Sequence, residues 1–397
     1  MSRWNWIVSL GLCCLSACVQ PPELNERPIA ERDIAAKAAT MVGASVLDVD
    51  RYTPSAVLAG CPRKNGFPVE EIGDPELTSA IKQAQAYSDS QHGLALMIIR
   101  DGSIIYENRA ENVSTKTRTE SFSMMKTVTA LMTGIAIDKG IIKSVDDPVG
   151  DYLLPWRDDP RGQITFRQLL TMSSGLKHYP FGAPGGELEK LLYSNDINAV
   201  AARNPLADTP GTAFLYNNVN SQLIGAAIDD SLRRRGAPGF AAFMLEKLWC
   251  PLGNDQATLW LDRNNGSPHY YAGLQANTRD WARLGELIRN QGKVGTRQIV
   301  PEKWISEMLK PSDQNPAYGL HIWRGAEWQK IRKYVPSSAF GVPHSKAYLA
   351  PDVYFLDGFG GQRVYIIPSR KLTIVRVGEV SMTYDDSIIV NLILAAM

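Results

Sequence analysis

Two hairpin patterns, one near each end of the chain, limit what this sequence can fold into more than any other feature. Between Gly93 and Asn108 the residues run Leu-Ala-Leu-Met-Ile-Ile, then Asp101-Gly102, then Ser-Ile-Ile-Tyr. An Asp-Gly pair between two apolar runs suits a two-residue turn with positive φ at both positions, and so predicts a β-hairpin. The β-branched runs Val364–Ile367 and Leu372–Val377, split by Pro368-Ser369-Arg370-Lys371, predict another. A lone hairpin is marginal in water, so both are expected in one antiparallel sheet. The chain between them has a different period. Val128, Leu131, Met132 and Ile135 fall at i, i+3, i+4 and i+7, which predicts a helix over about Ser123–Lys139, stopped by Gly140. Residues 145–290 read as mainly helical, with Pro/Gly-rich breaks at 180–186 and 205–211. Asp74-Pro75 opens a further helix that runs to about Ser88, with aspartate as its cap and proline in its first turn. A short helix fits Ile34–Met41, and an amphipathic one fits Ser387–Met397. The expected fold class is therefore α/β (α+β), with terminal helices packed on one antiparallel sheet. No internal repeat is visible.

The first 20 residues do not belong to that pattern. Arg3 precedes an apolar stretch from Trp6 to Leu15, followed by Ser16-Ala17-Cys18. A positive start, a short apolar run and small residues before a cut describe a secretory signal too short to span a bilayer. Because the small residues end at a cysteine, the segment resembles the lipobox of bacterial lipoproteins. That resemblance implies a signal peptide over 1–17 and lipidation of Cys18. The chain would then be exported and held at a bacterial membrane by its lipid anchor. Val19 after Cys18, where aspartate is absent, would suggest the periplasmic face of the outer membrane in a Gram-negative cell. A plain signal peptide that happens to contain cysteines is the alternative. Residues 18–70 read as a tether and N-terminal extension, and 71–397 as the folded domain.

Cys61 and Cys250 remain after the signal is removed. Export makes a disulfide possible, and two buried free thiols is the other reading. With 42 basic and 41 acidic side chains the net charge is +1. Arg233-Arg234-Arg235 is best read as a solvated helix end, so nucleic acid is not an expected partner.

The chemistry-bearing motifs narrow by elimination. No Gly-x-Ser-x-Gly elbow, HExxH or Walker loop occurs. The five histidines are scattered, so neither metal nor cofactor is expected. What remains is Ser123-Met124-Met125-Lys126. Residues three apart share a helix face, so the hydroxyl and the amine would point into one site. A serine hydroxyl becomes a useful nucleophile when a neighbouring base takes its proton. A lysine can serve if burial lowers its pKa from the usual ~10.4. By itself the tetrapeptide says little, since Ser79-x-x-Lys82 and Ser174-x-x-Lys177 share its spacing and Ser123 could be a plain helix cap. Two further features give it context. Tyr216-Asn217-Asn218 follows Pro210-Gly211 just before an apolar helix, and Gly358-Phe359-Gly360-Gly361-Gln362 precedes the strand Val364–Ile367. Glycines there would let the backbone approach a substrate and aim N–H groups at its oxygen. Tyr106-x-Asn108 and Tyr193-x-Asn195 repeat the tyrosine spacing, so order and context carry the weight.

SxxK on a helix, then YxN, then a glycine-containing triplet on a strand resembles the serine β-lactamases and penicillin-binding proteins. The Tyr-x-Asn form is similar to the class C β-lactamase-related branch, which includes esterases and 6-aminohexanoate-dimer hydrolases. Linking segments such as Ile164–Leu176 and Asp280-Trp-Ala-Arg-Leu-Gly285 look like that branch as well, and the likeness covers about 75–395. It implies a β-lactamase/transpeptidase-like fold, with an all-helical subdomain at about 145–290 and the site between sheet and helices. It also implies a serine hydrolase that cleaves an ester, amide or lactam through an acyl-enzyme on Ser123. Lys126 would be its partner, Tyr216 a phenolate-type base, and Asn218 a hold on Lys126 or on a substrate amide. Gly360, Gly361 and Gln362 would bind substrate, and the N–H groups of Ser123 and Gln362 would form the oxyanion hole. True β-lactamases start the third triplet with lysine, whereas Phe359 stands here. That departure favours an apolar ester or amide over a carboxylate-bearing lactam. Tyr318, His321 and Trp323 are expected mainly as core. A cell-wall D-Ala-D-Ala-type peptidase or β-lactamase is the alternative enzyme, and a non-catalytic peptide-binding protein is the alternative of another class.

Overall fold

The computed structural model describes residues 31–63, 66–180, 186–338 and 340–397. The signal peptide and Cys18 lie outside the described residues. The strands that matter for the site are β1 (Gly93–Arg100), β2 (Ser103–Arg109), β3 (Trp323–Arg324), β4 (Tyr354–Gly358), β5 (Gln362–Ile367) and β6 (Leu372–Gly378). The helices are α1 (Pro75–Ser90), α2 (Met124–Asp138), α3 (Asn218–Arg234), α4 (Thr278–Arg289) and α5 (Ile388–Ala395).

Both predicted hairpins form and share one six-stranded antiparallel sheet in the order β2-β1-β6-β5-β4-β3. Asp101 and Gly102 take φ of 49° and 84°, the positive pair that their turn requires. The two hairpins meet where β6 pairs β1, with Ile374 opposite Ile98 and Val375 opposite Met97.

Alternation of side chains along each strand divides the core in two. Leu96, Ile98, Tyr365, Ile367 and Ile374 face α1 and α5. Ala95, Met97, Ile99, Val364, Ile366 and Val375 face the other way, in one cluster with the apolar residues of α2 and α4. Helix α2 is apolar almost all round and is buried continuously from Met124 to Ala136, as such a helix must be. Asp74 caps α1 through Oδ1, which accepts from the Glu76 N–H at 2.9 Å.

One sequence expectation needs correction. The block at 145–290 is not all helical, because Ala257–Trp260 and Leu274–Ala276 are strands. They join Ser55–Leu58 and Thr119–Glu120 in a second, four-stranded antiparallel sheet. The described part of the expected N-terminal extension packs on the domain. Ser55–Leu58 pairs with Ala257–Trp260, and Cys61 stands with its Cα 5.0 Å from that of Cys250. These strands are short, and two of the sheet's three pairings span long sequence separations, so no local pattern marks them.

Candidate active site

Strand Thr119–Glu120 delivers the chain to the start of α2. Glu120 is buried, and its carboxylate accepts from the N–H groups of Phe122 (2.9 Å) and Gly273 (2.8 Å) and from the Gln275 side chain (2.7 Å). These bonds hold Phe122 at a φ of +47°, a conformation costing a non-glycine residue on the order of 1 kcal/mol or more. Ser123 follows, partly exposed. Its side chain makes no capping hydrogen bond to the helix, so the plain reading as a cap fails.

Lys126 sits one turn on, and only 1% of its surface is exposed. Its Nζ lies 2.8 Å from Ser123 Oγ and 3.3 Å from the Tyr271 carbonyl oxygen. Burial disfavours the ammonium and lowers its pKa to about 7, against the opposing pull of the Asp357 carboxylate. Tyr216 lies across the amine, with Nζ 4.8 Å from its ring centroid. Desolvation raises the Tyr216 pKa well above its ordinary value, with the phenol of Tyr318 and the charge of Asp357 adding to it, while a hydrogen bond with Ser123 works the other way.

An aromatic box fixes the Tyr216 ring. Trp323 stacks on it at 5.8 Å, and Tyr334 and Tyr318 approach at 5.1 and 6.1 Å. Tyr318, His321 and Trp323 are buried, as expected of core residues, yet Tyr318 and Trp323 are walls of this box. His321 supports α2 from behind by accepting the Thr127 hydroxyl on its carbonyl oxygen at 2.6 Å. Asn218 opens α3 next to Tyr216, but it makes no hydrogen bond to Lys126, whose partners are Ser123 and Tyr271. The neighbouring Asn217 caps α3, with Oδ1 accepting from the Val219 N–H at 3.2 Å.

The glycine turn comes to the same place. A Cβ on Gly358 would lie 2.5 Å from the Ser121 carbonyl oxygen, so only glycine lets β4 approach the turn that leads to Ser123. Gly361, at a φ of +99°, has Arg376 and Tyr384 each 2.9 Å from where a Cβ would stand. The Gln362 side chain is tied to β6, its Oε1 accepting from the Gly378 N–H at 2.9 Å. The Phe359 ring is 40% exposed and meets Phe122 edge to face at 5.9 Å.

The decoy motifs go elsewhere. Ser79 and Lys82 are exposed on α1. Ser174 is buried and donates to Asn220 at 2.7 Å, with Lys177 exposed. The Tyr106 hydroxyl bonds Gln85 at 3.2 Å on the far side of the sheet. Sequence reasoning missed Glu120, Tyr271, Tyr334 and Asp357. None lies in a recognisable spacing with Ser123, so no local signal marks them.

A serine held beside an amine of lowered pKa, under a glycine turn at a sheet edge, defines a hydrolase that works by acyl transfer through serine. The chain belongs to the Beta-lactamase family, whose sequence profile matches residues 77–379. An Escherichia coli (strain K12) protein with the provisional name D-alanyl-D-alanine carboxypeptidase is 22% identical, covering 80% of this chain and 84% of its own. A Bacillus anthracis structure provisionally named 6-aminohexanoate-dimer hydrolase superposes with a TM-score of 0.68 at 18% identity, over 88% of this chain and 92% of that one. A penicillin-binding protein homolog from Caulobacter crescentus gives 0.59 at 14% identity, over 86% and 100%. The fold is thus that of β-lactamases and transpeptidases, and the chain is a serine hydrolase of an ester, amide or lactam carbonyl.

Proposed function

We propose that this hydrolase is an esterase or amidase of the class C β-lactamase-related branch, with Lys126 as the acylation base. One observation carries the reading: the Lys126 amine is 2.8 Å from Ser123 Oγ, with its pKa lowered to about 7. Near neutral pH much of the amine is free, and it takes the hydroxyl proton as Oγ attacks the carbonyl carbon. The N–H groups of Ser123 and Gln362 would receive the oxyanion. The new ammonium then returns a proton through the Tyr216 hydroxyl to the leaving group, which departs as alcohol or amine. Water enters by the reverse route, releases the acid and restores Ser123. Burial disfavours a phenolate, so Tyr216 acts here as a neutral relay and not as the phenolate base that the family resemblance implies. Asn218, unattached to Lys126, is left to face a substrate amide.

Phe359 and Phe122 form an apolar lip beside the nucleophile where a lactamase would place a lysine, which supports a neutral, apolar acyl or leaving group. The carboxypeptidase name of the Escherichia coli relative supports a second substrate, a peptidoglycan stem peptide. The lipobox-like Leu15-Ser16-Ala17-Cys18 supports export and a lipid anchor, and a Cys61–Cys250 disulfide fits that address.

Nitrophenyl butyrate turnover by wild type and Ser123→Ala tests the reading. Loss of three or more orders of magnitude in kcat/KM, about 4 kcal/mol in the barrier, is the expected result. Equal rates would remove Ser123 from the mechanism. Release of D-alanine at a higher kcat/KM than ester cleavage would move the peptidase reading ahead.

A further inference from the structure

Behind the aromatic box lie four buried charges that the chemistry above does not use. Arg363 reaches Asp357 at 2.6 Å and Asp386 at 2.8 Å, while Arg332 reaches the same two carboxylates at 3.1 and 2.8 Å. The quartet is formally neutral and almost fully enclosed. Replacing such a cluster by apolar residues of similar volume is often no less stable, so its stabilising effect is weak grounds for its presence.

Two arms run from it to the site. On one, the Tyr334 hydroxyl donates to Asp357 Oδ2 at 2.7 Å. The Tyr334 carbonyl accepts the Tyr216 N–H at 3.1 Å, and the two rings lie 5.1 Å apart. On the other, Arg363 donates to the carbonyl oxygens of Gly358 and Gln362, each at 2.8 Å, which bracket the glycine turn. Asp357 is the node, and it directly precedes Gly358 on β4.

We infer that Asp357 and Tyr334 are positioning residues for the reaction, locking the Tyr216 phenol and the 358–362 turn in register and setting the charge felt by the Lys126–Tyr216 pair. The inference rests on the roles proposed above for Ser123, Lys126 and Tyr216. It is physically plausible because relay and oxyanion donors must hold their places to within a fraction of an ångström, and supporting bonds supply that rigidity. The groups around the amine are few. Ser123 faces it from the residue before α2, Tyr216 from the segment before α3, and Tyr271 from the loop before Leu274–Ala276. His321, ahead of β3, is kept neutral by burial, its pKa lowered to about 3. Asp357 on β4 is the carboxylate whose charge reaches both Lys126 and Tyr216.

Two substitutions test this by ester turnover against pH. Asp357→Asn removes the negative charge and leaves both arginines, so the ammonium loses its support. The acid limb of kcat/KM should move down by at least half a pH unit, and the plateau should fall at least tenfold. Tyr334→Phe keeps the ring against Tyr216 and frees Asp357 of one hydrogen bond. Its kcat should fall about fivefold or more with KM within twofold, and its acid limb should move the other way. A merely structural role would lower melting temperature or yield in both variants and leave the limbs where they are. Limbs coincident with wild type, or a Tyr334→Phe kcat within twofold of it, would overturn the inference. If Asp357→Asn fails to fold, Tyr334→Phe decides by the same two criteria. Wild type indifferent to Ser123→Ala would instead indict the site assignment itself, which separates the two failures.

Discussion

Replacing Lys126 by methionine should abolish turnover and at the same time make the protein more tolerant of low pH. The side chains have similar reach, and methionine adapts well to apolar surroundings. An unfolded lysine holds its proton up to about pH 10.5, whereas the buried Lys126 releases it near 7. Between those values the unfolded state binds more protons, so raising the pH favours folding. Below pH 7 the full penalty applies, on the order of 5 kcal/mol at 1.36 kcal/mol for each pKa unit. It falls to roughly 2 kcal/mol by pH 9 and vanishes above about 10.5. Methionine carries no such penalty. Its other effects, including the loss of the bonds to Ser123 and Tyr271, are the same at each pH and cancel in a difference. Urea unfolding of both proteins at pH 6 and pH 9 therefore measures the amine alone. The stability of Lys126→Met relative to wild type should drop by about 2.5 kcal/mol from the lower to the higher pH. A difference constant to within about 0.5 kcal/mol would mean that the amine is not forced toward neutrality, and the case for Lys126 as base would fall with it.

The same depression should appear in catalysis: kcat/KM for a neutral ester should rise with unit slope up to about pH 7 and then level off, because the free amine is the active form. A limb near pH 10 would indicate an ordinary lysine. Phe359→Lys should raise the kcat/KM ratio of a carboxylate-bearing lactam such as nitrocefin to nitrophenyl butyrate at least tenfold. No change in that ratio would show that position 359 does not face the substrate. Glu120→Ala leaves three donors unsatisfied beneath Ser123 and should cost about 2–4 kcal/mol in urea unfolding. A loss below 1 kcal/mol would mean that the Phe122 turn holds itself.

The parts of the fold legible in the sequence are those whose cause is local. Asp101-Gly102 announces its turn because few other pairs accept two positive φ values. Ser123 and Lys126 can be paired because three residues on a helix return to one face. Asp74-Pro75 marks a helix start for equally local reasons. What stayed hidden depends on residues that only the fold brings together. Ser55–Leu58 pairs with a strand some two hundred positions away, and nothing in its four residues foretells the register. Glu120 finds two of its donors beyond residue 270, and Asp357 finds Tyr334 on a separate loop. The part that Tyr216 plays is illegible for a related reason. Motif spacing places a tyrosine beside a lysine, but which of the two gives up its proton depends on burial, and burial is a property of the whole core.

The central claim is that Ser123 is acylated with help from an amine of lowered pKa. Its most direct test is the intact mass and peptide map of the protein after brief mixing at pH 8 with a slowly hydrolysed nitrophenyl ester, wild type beside Lys126→Met. The account predicts one added acyl group on the peptide containing Ser123 in wild type, and at least a thousandfold slower labelling in the variant. Acyl mass on another residue, or labelling of Lys126→Met at the wild-type rate, would contradict it.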